Sequence, residues 1–178
     1  MQNFLYKELT QTDLHVKSLI KFNRFQETTK TWVNHDGELR LEDTHFVDEW
    51  DAKKKAQVIE SLQQCISNGG IVVGAYQENT LIGFANFKNH SFGSNNQYLE
   101  LSYIHVSNEI RHAGIGRRMF TICCDKARAR GCKKLYISAH PAQATQAFYN
   151  AMGCGSAQEI NQEIFKQEPL DIQLEYIL

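Results

Sequence analysis

The sequence predicts a single domain of the α/β (α+β) class, spanning residues 1–178, in which helices flank a mixed β-sheet. A length of 178 residues suits one domain. A hydrophobic fraction of 42% with only 2 prolines is typical of a folded core rather than of a disordered chain. Strand and helix patterns alternate only in the second half of the chain, so a mixed sheet is favoured over a fully parallel one.

The first half of the chain contains one strand pattern, two helix patterns and one long stretch without periodicity. In order, these are a strand at Phe4–Leu9, a helix over Leu14–Phe22 with Thr12 and Asp13 as N-cap residues, an irregular stretch from Asn23 to Asp48 and a helix over Glu49–Ser67. In the first helix the apolar stripe is made by Val16, Leu19 and Ile20. The irregular stretch has a turn at Gly37 and is long for a connection, which is typical of a lid or a binding loop.

The second half predicts a hairpin, a further strand and then alternating helices and strands. In order, these are hairpin strands at Ile71–Tyr76 and Thr80–Phe87, a strand at Tyr98–Val106, a helix over Gly114–Arg130, a strand at Lys134–Ser138, a helix over Ala142–Met152 and a closing strand at Asp171–Leu178. The longest of these helices has an apolar face at helical spacing, made by Phe120, Cys123, Cys124 and Ala127.

Charge and cysteine content exclude several classes of function. Lys and Arg total 19 against 20 Asp and Glu, a net charge of −1, which gives no general affinity for nucleic acid or anionic membranes. No apolar run reaches the roughly 18–20 residues of a membrane span, and no signal peptide is visible. The 5 cysteines form no C-x-x-C pair, which favours reduced thiols over a metal site. We therefore predict a cytoplasmic protein with no nucleic-acid, membrane or metal partner.

The most informative segment joins the strand Tyr98–Val106 to the helix that follows it. Gly114 and Gly116 lie where that helix begins, and glycine lets an anion approach the backbone closely. The free N–H groups of the first helical turn then point at the anion, and the helix dipole adds a favourable potential. The pattern is not G-x-G-x-x-G, because Met119 occupies the third glycine position, and no Lys-Ser/Thr pair makes it a P-loop. It predicts a pyrophosphate-binding turn.

Two motifs together resemble the GNAT superfamily of N-acetyltransferases. The first is R-x-x-G-x-G, here Arg111–Gly116, and the second is AQATQAFYNAMGC, here Ala142–Cys154. The resemblance covers Gly70–Cys154 well and the first half of the chain loosely. It implies a mostly antiparallel central sheet that splays between its fourth and fifth strands. It also implies acetyl-CoA as co-substrate without a metal, and transfer of the acetyl group to a primary amine by direct attack in a ternary complex.

The resemblance also assigns the residues that would bind acetyl-CoA. Ile104, His105 and Val106 would lie along the pantetheine arm and contact the cofactor, with the backbone groups of Ile104 and Val106 pairing with the arm. The side chain of His105 is interpreted as structural. Arg111 opens the first motif, and the backbone amides that would hold the pyrophosphate belong to His112, Ala113, Gly114, Ile115, Gly116 and Arg117. Ala142 occupies the position where the family commonly has an Asn that contacts the CoA arm, so backbone or Gln143 contacts would substitute for it.

Two residues are candidates for the proton transfers that such a reaction needs. Tyr149 matches the family tyrosine near the CoA sulfur, where it would protonate the leaving thiolate, while its neighbour Phe148 is predicted to pack in the core. Glu100 lies where histone-type members carry a catalytic glutamate, on a strand face predicted to include Ser102, Ile104 and Val106. Glu100 would line the acceptor site, and either Glu100 or a water chain would act as the base.

Two other interpretations of the sequence stay open. One is a non-catalytic acyl-CoA-binding sensor or regulatory module, since a fold does not by itself establish an activity. The other is an enzyme with Cys154 as nucleophile, although a small buried cysteine also explains that residue. The acceptor is a small-molecule or peptide amine, and the stretch with Trp32 and Phe46 would form either the floor of its pocket or a packed lid. A homodimer is also left open.

Overall fold

Nine β-strands and four α-helices make up the computed structural model, which describes residues 3–178. In chain order they are β1 (Leu5–Glu8), β2 (Gln26–His35), β3 (Glu38–Asp48), α1 (Ala52–Ser67), β4 (Ile71–Gln77), β5 (Thr80–Phe87), β6 (Tyr98–Val106), α2 (Ile115–Ala129), β7 (Lys134–Ala139), α3 (Gln143–Met152), β8 (Gly155–Ser156), α4 (Gln162–Gln167) and β9 (Ile172–Ile177). One sheet has the order β1-β4-β5-β6-β7-β9-β8, and β2 and β3 form a separate hairpin. Within the sheet only β6 and β7 run parallel, so it is mixed and mostly antiparallel, as predicted.

The sheet separates between its fourth and fifth strands, as the resemblance implied. β6 and β7 pair only over their first residues, from Tyr98 opposite Lys134 to Glu100 opposite Tyr136. Beyond that point β6 continues beside β5, whereas β7 continues beside β9. A V-shaped cleft therefore opens between β6 and β7, with Glu100 at its apex.

Apolar side chains cover both faces of the sheet. On one face α2 and α3 pack against the central strands, and the four residues of α2 with helical spacing are all buried: Phe120, Cys123, Cys124 and Ala127. On the other face α1 packs through Val58, Ile59 and Leu62 against a cluster that includes Trp50 and Phe84. We call these the α2 face and the α1 face.

The helix predicted over Leu14–Phe22 is wrong. The structure has a short 3-10 turn followed by successive turns that are closed by hydrogen bonds between residues three apart. Leu19 is buried, but Val16 and Ile20 are 76% and 68% exposed, so the predicted stripe does not face the core. Tertiary contacts override the local pattern, because the Gln63 side chain of α1 donates a 2.8 Å hydrogen bond to a backbone carbonyl of this segment.

The irregular stretch predicted from Asn23 to Asp48 is also wrong, because most of it forms the hairpin β2–β3. The two strands pair over their full length with one bulge. Asp36 and Gly37 form the turn that Gly37 predicted, with φ of 51° and 95°, the values that a two-residue type I′ turn requires. Polar and charged side chains occur on both faces of these strands, which conceals the alternation that usually indicates a strand.

The remaining elements agree with the prediction to within a few residues. α1 begins at Ala52 rather than at Glu49, because the Asp51 side chain caps it by accepting a hydrogen bond from the Lys54 N–H. The sequence patterns indicate neither α4 nor the two-residue strand β8. None of the helices in the described part of the chain combines the length and the hydropathy that crossing a bilayer demands.

Candidate active site

The edge of β6 that borders the cleft presents backbone groups without a neighbouring strand. Ser107 donates its N–H to the Ile82 carbonyl, and Val106 lies opposite Gly83 in the same register. Successive residues of an antiparallel strand alternate in the direction of their backbone groups, so those of Ile104 and Val106 point away from β5. They face the cleft from which β7 has diverged, where an extended ligand can pair with them as an added strand does.

The turn after β6 connects this edge to the start of α2. Arg111 bridges the two by donating from Nε to the Val106 carbonyl at 3.1 Å, so at Val106 it is the N–H that faces the cleft without a partner in the described chain. Gly114 is the N-cap residue of α2 and has φ of 79°, a left-handed conformation that favours glycine. A Cβ added at Gly114 would meet no atom within 4 Å, so the space before the first helical turn is open. The predicted segment from His112 to Arg117 therefore surrounds an open helix N-terminus, which is a geometry that suits phosphate.

Gly116 lies against an aromatic side chain of α3. A Cβ added there would be 3.3 Å from Phe148 Cε2 and 3.8 Å from Val106 Cγ2. Phe148 is half-buried at this junction, whereas Tyr149 is only 6% exposed and belongs to the core of the α2 face. The prediction that Phe148 is the core residue of the pair is therefore wrong, because α3 directs Phe148 toward the start of α2 and Tyr149 inward.

Tyr149 is a buried residue in an aromatic setting. Its ring centroid lies 6.5 Å from that of Phe120 and 5.2 Å from that of Phe148. Burial raises the pKa of Tyr149 above its ordinary value, and the nearby Cys154 and Asp171 raise it further. The phenol is therefore neutral at pH 7 and can donate its proton in a hydrogen bond.

A β-bulge in β6 places Glu100 on a different face from the one predicted. The register between β5 and β6 shifts near the middle of β6, where Ser102 is the extra residue. The side chains of β6 that contact the core of the α2 face are those of Leu99, Leu101, Ile104 and Val106. Glu100 therefore points to the α1 face, and the prediction that it shares a face with Ile104 and Val106 is wrong because the bulge reverses the alternation.

Glu100 is held at the apex of the cleft by two partners. The Lys88 ammonium lies 2.8 Å from Oε2, and the Ser102 hydroxyl donates to Oε1 at 2.9 Å. The Glu100 side chain is only 14% exposed. Both carboxylate oxygens thus have a partner within this chain.

His105 packs within an aromatic cluster on the α1 face. Its ring centroid lies 4.9 Å from that of Trp50 and 5.5 Å from that of Phe84. Burial lowers the pKa of His105 well below its ordinary value, and three nearby cations lower it further. The imidazole is neutral at pH 7 and has a structural environment. The backbone of His105 faces β5 rather than the cleft, so the prediction that it contacts the cofactor is wrong.

Ala142, at the position of the missing Asn, is buried just before α3. Its N–H donates a 3.1 Å hydrogen bond to Nδ1 of His140, which fixes the tautomer with the proton on Nε2. This N–H is therefore not available to a ligand. Gln143, the first residue of α3, is exposed and is the nearby side chain that can replace the Asn.

The hairpin β2–β3 contains Trp32 and Phe46, for which the sequence predicted either a pocket floor or a packed lid, but not a pair of strands. Trp32 donates its N–H to the Pro141 carbonyl at 2.9 Å, and the Phe46 ring lies 5.3 Å from that of His140. These contacts attach the hairpin to the segment between β7 and α3. The hairpin therefore reaches the β7 side of the cleft.

The residues before the hairpin are attached to the β6 side of the cleft. Asn23 donates its N–H to Ser107 Oγ at 2.9 Å and its side-chain amide to Glu109 at 2.8 Å. Ser107 in turn donates to the second carboxylate oxygen of Glu109 at 2.7 Å. Residues 23–48, which we call the strap, thus cross the cleft from the end of β6 to the start of α3.

The cysteines do not form a reactive centre. Burial raises the pKa of Cys124 and of Cys154 to about 12, so both are thiols at pH 7. This protonation state argues against Cys154 as a nucleophile. Within residues 3–178, no group of three or more His, Cys, Asp and Glu side chains is arranged to hold a metal ion.

The cleft in the sheet and the glycine-containing turn together suit an extended ligand that carries phosphate. A family model described as the acetyltransferase (GNAT) family matches residues 29–154, which is more than two-thirds of the chain. The chain belongs to this family, and the resemblance carried by its two motifs is confirmed.

Solved structures share the fold at low sequence identity. Nourseothricin acetyltransferase has a TM-score of 0.72 and 15% identity over 98% of each chain. The PaiA N-acetyltransferase from Thermoplasma acidophilum, in complex with coenzyme A, has a TM-score of 0.62 and 15% identity over 99% of each chain. A GNAT family acetyltransferase from Elizabethkingia anophelis with acetyl-CoA bound has a TM-score of 0.53 and 21% identity over 67% of this chain and 82% of that one. A comparison with curated proteins finds no match.

Proposed function

We propose that this protein is an acyl-CoA-dependent N-acyltransferase that transfers the acetyl group of acetyl-CoA to a primary amine. The observation that carries the proposal is the continuity between the open edge of β6 at Ile104 and Val106 and the helix start at Gly114. An extended arm with amides followed by a pyrophosphate fits that succession of groups. Membership of the acetyltransferase (GNAT) family supports the same ligand.

The chain's own residues have distinct roles in this proposal. The backbone of Ile104 and Val106 aligns the pantetheine arm in the cleft, and the amides from His112 to Arg117 hold the pyrophosphate. Arg117 is exposed beside the helix start and adds positive charge near the phosphates. The thioester then lies toward the apex of the cleft, where the acceptor meets it.

In the reaction, the amine nitrogen forms a bond with the thioester carbonyl carbon while the carbon–sulfur bond breaks. Tyr149 gives its proton to the leaving thiolate, a role that its neutral phenol and its position on α3 support. Glu100 lines the acceptor side at the apex. Because Lys88 and Ser102 already contact its two oxygens, we assign Glu100 to shaping the site, and the proton lost by the attacking nitrogen restores the Tyr149 hydroxyl.

The test is release of CoA thiol from acetyl-CoA with a panel of small and peptide amines, with the acetylated amine identified by mass spectrometry. The Tyr149→Phe variant keeps the ring and its packing and removes only the hydroxyl. We expect kcat to fall by about 10²–10⁴-fold, the usual contribution of a general acid, while acetyl-CoA affinity stays parental. Tyr6→Phe on β1, at the far edge of the sheet, is the matched control.

A protein that binds acetyl-CoA tightly but releases no thiol with any amine would instead be a binding module. An unchanged kcat in Tyr149→Phe, with chemistry shown to limit the rate, would remove Tyr149 from the mechanism and leave the transfer itself in place.

A further inference from the structure

Asp171 is a half-buried carboxylate on the β7 side of the cleft, at the residue before β9. Its Oδ2 accepts a 3.1 Å hydrogen bond from the Ser138 hydroxyl, and its Oδ1 has no partner among the described residues. Within residues 3–178 no Lys, Arg or His nitrogen lies within 4.0 Å of it. A partly buried carboxylate without a cation within 4.0 Å regains only part of its lost solvation from one hydrogen bond, and such groups are typical of functional sites.

Ser138 fixes Asp171 in the separated part of the sheet. The last residue of β7 that pairs with β6 is Tyr136, and Ser138 lies two positions beyond it. The neighbours of Ser138 in β7, Ile137 and Ala139, are buried in the core of the α2 face, so Ser138 points to the opposite face. Asp171 thus lies on the side of the sheet that the strap crosses, opposite to the side of α2.

Three neighbouring groups influence the pKa of Asp171. Burial raises the pKa of its carboxyl, the Ser138 hydroxyl of β7 opposes that rise, the His140 ring after β7 also lowers the pKa, and Glu168 at the end of α4 raises it. The charge of Asp171 in turn raises the pKa of Tyr149 of α3, whose ring belongs to the core of the α2 face. The candidate acid is therefore near enough to this carboxylate to be affected by its charge.

We propose that Asp171 is the acceptor-amine site: its carboxylate binds the ammonium form of a primary amine and takes a proton from it. This inference rests on the proposed acetyl transfer. Glu100, at the apex, has a cation and a hydroxyl on its two oxygens, whereas Asp171 has a free oxygen and no cation. Asp171 can therefore accept an ammonium group without losing a partner.

The reaction accounts for all three hydrogens of the ammonium group. The ammonium R–NH₃⁺ gives one proton to Asp171, which passes it to solvent after the reaction. The free amine attacks the thioester carbonyl carbon, the carbon–sulfur bond breaks, and Tyr149 protonates the thiolate. The second proton lost by the nitrogen restores the Tyr149 hydroxyl. The products are the N-acetyl amine, CoA thiol and one proton in solution.

The experiment measures kcat/KM for the best amine of the panel between pH 6 and pH 9. In Asp171→Asn we expect a fall of about 10²-fold or more at pH 7, the scale of general-base catalysis, with partial rescue at high pH. Acetyl-CoA affinity by calorimetry stays parental. Asp125→Asn, an exposed aspartate of α2 paired with Arg128, is the matched control.

Two further variants test the role of Asp171 as a base without altering Asp171 itself. Ser138→Ala removes the hydrogen bond that lowers the pKa of Asp171, so the acid limb of the kcat/KM profile moves to higher pH. Glu168→Gln removes the charge that raises this pKa, so the limb moves to lower pH. A purely structural role of Asp171 would move neither limb, and these two variants remain informative if Asp171→Asn does not fold.

The outcomes separate this inference from the proposed function. Amine-dependent turnover by the parent, with Asp171→Asn within threefold of it at every pH, overturns the inference and leaves the acetyl transfer standing. If the acid limb of the kcat/KM profile keeps its parental position in both Ser138→Ala and Glu168→Gln, the inference is also overturned. Absence of amine-dependent thiol release from the parent itself overturns the proposed function and this inference together.

Discussion

At the scale of single residues, two glycines shape the phosphate-binding turn in different ways. Gly114 adopts a left-handed conformation with open space in front of it, so it sets the direction in which the chain enters α2. Gly116 has no such conformation but lies close to Phe148, so its missing side chain lets α3 and a ligand approach the same turn. The first glycine is required by the backbone and the second by close contact.

Replacing Gly116 by Val should abolish acetyl-CoA binding. A Cβ at this position already lies 3.3 Å from Phe148 Cε2, and the two methyl groups of Val would extend into the turn or displace α3. We expect at least about 100-fold weaker binding by calorimetry, equivalent to about 2.7 kcal/mol. Gly155→Val on β8, where an added Cβ meets nothing within 4 Å, should bind like the parent. Parental affinity in a folded Gly116→Val protein would show that the turn does not hold the phosphates.

The sequence predicts where the turn before α2 and the helix α3 lie, because both depend on local patterns. The face of Glu100 could not be predicted, because the bulge at Ser102 is set by pairing with β5, a strand distant in sequence. No sequence pattern marks Asp171 as a functional residue. Its proximity to Ser138 arises only when β9 pairs with β7.

At the scale of elements, the strap is the feature that distinguishes the acceptor side. It is attached to opposite sides of the cleft, through Asn23 at Ser107 after β6 and through Trp32 at Pro141 before α3. The sequence does contain the Asp36–Gly37 dipeptide, which is a strong indicator of a two-residue hairpin turn. The flanking strands lack a clear apolar face because their inner face covers a partly polar cleft rather than a core.

Phe46→Ala should loosen the strap and weaken acceptor binding. The ring of Phe46 contacts His140, and an aromatic pair contributes about 0.5–1.5 kcal/mol, so the acceptor KM should rise by up to about tenfold. The affinity for acetyl-CoA should not change, because its proposed contacts lie on β6 and α2. Leu39→Ala, near the exposed turn of the same hairpin, is the control with parental KM. Equal KM values in all three proteins would mean that the strap does not close over the acceptor.

At the scale of the whole molecule, the last strand secures the far edge of the sheet through a buried charged network. Glu175 of β9 is 6% exposed and lies 2.8 Å from the Lys134 ammonium of β7, with Tyr98 of β6 and the Gln158 N–H as further partners. The network therefore joins three strands at the end where β6 and β7 still pair. It holds the closed end of the cleft while the other end stays open.

This network predicts a loss of stability in acid. Burial by itself raises the pKa of Glu175, but the Lys134 ammonium and the Tyr98 and Gln158 hydrogen bonds outweigh it and hold that pKa below its ordinary value. A carboxylate with a lowered pKa contributes stability above its unfolded value of about 4.3, and the contribution is lost as pH falls through the lowered folded value. Urea unfolding from pH 7 to pH 3 measures this slope.

The variant Glu175→Gln should be less stable than the parent at pH 7 by about 3–5 kcal/mol, because it leaves the Lys134 charge buried without its partner. The difference should shrink as pH falls. Glu8→Gln, which breaks an exposed ion pair with Lys126, should cost about 1 kcal/mol or less. A pH-independent difference between parent and Glu175→Gln would show that the charge of Glu175 does not account for its contribution.

In the proposed reaction an amine attacks acetyl-CoA directly in the cleft between β6 and β7. Initial-rate kinetics with both substrates varied, combined with the intact mass of the protein after incubation with acetyl-CoA alone, test it most directly. We expect intersecting double-reciprocal lines, because both substrates must be bound together. We also expect that acetyl-CoA alone leaves the mass of the protein unchanged. Parallel lines together with an acetylated protein would contradict it, since they would require a covalent intermediate on a side chain such as Cys154.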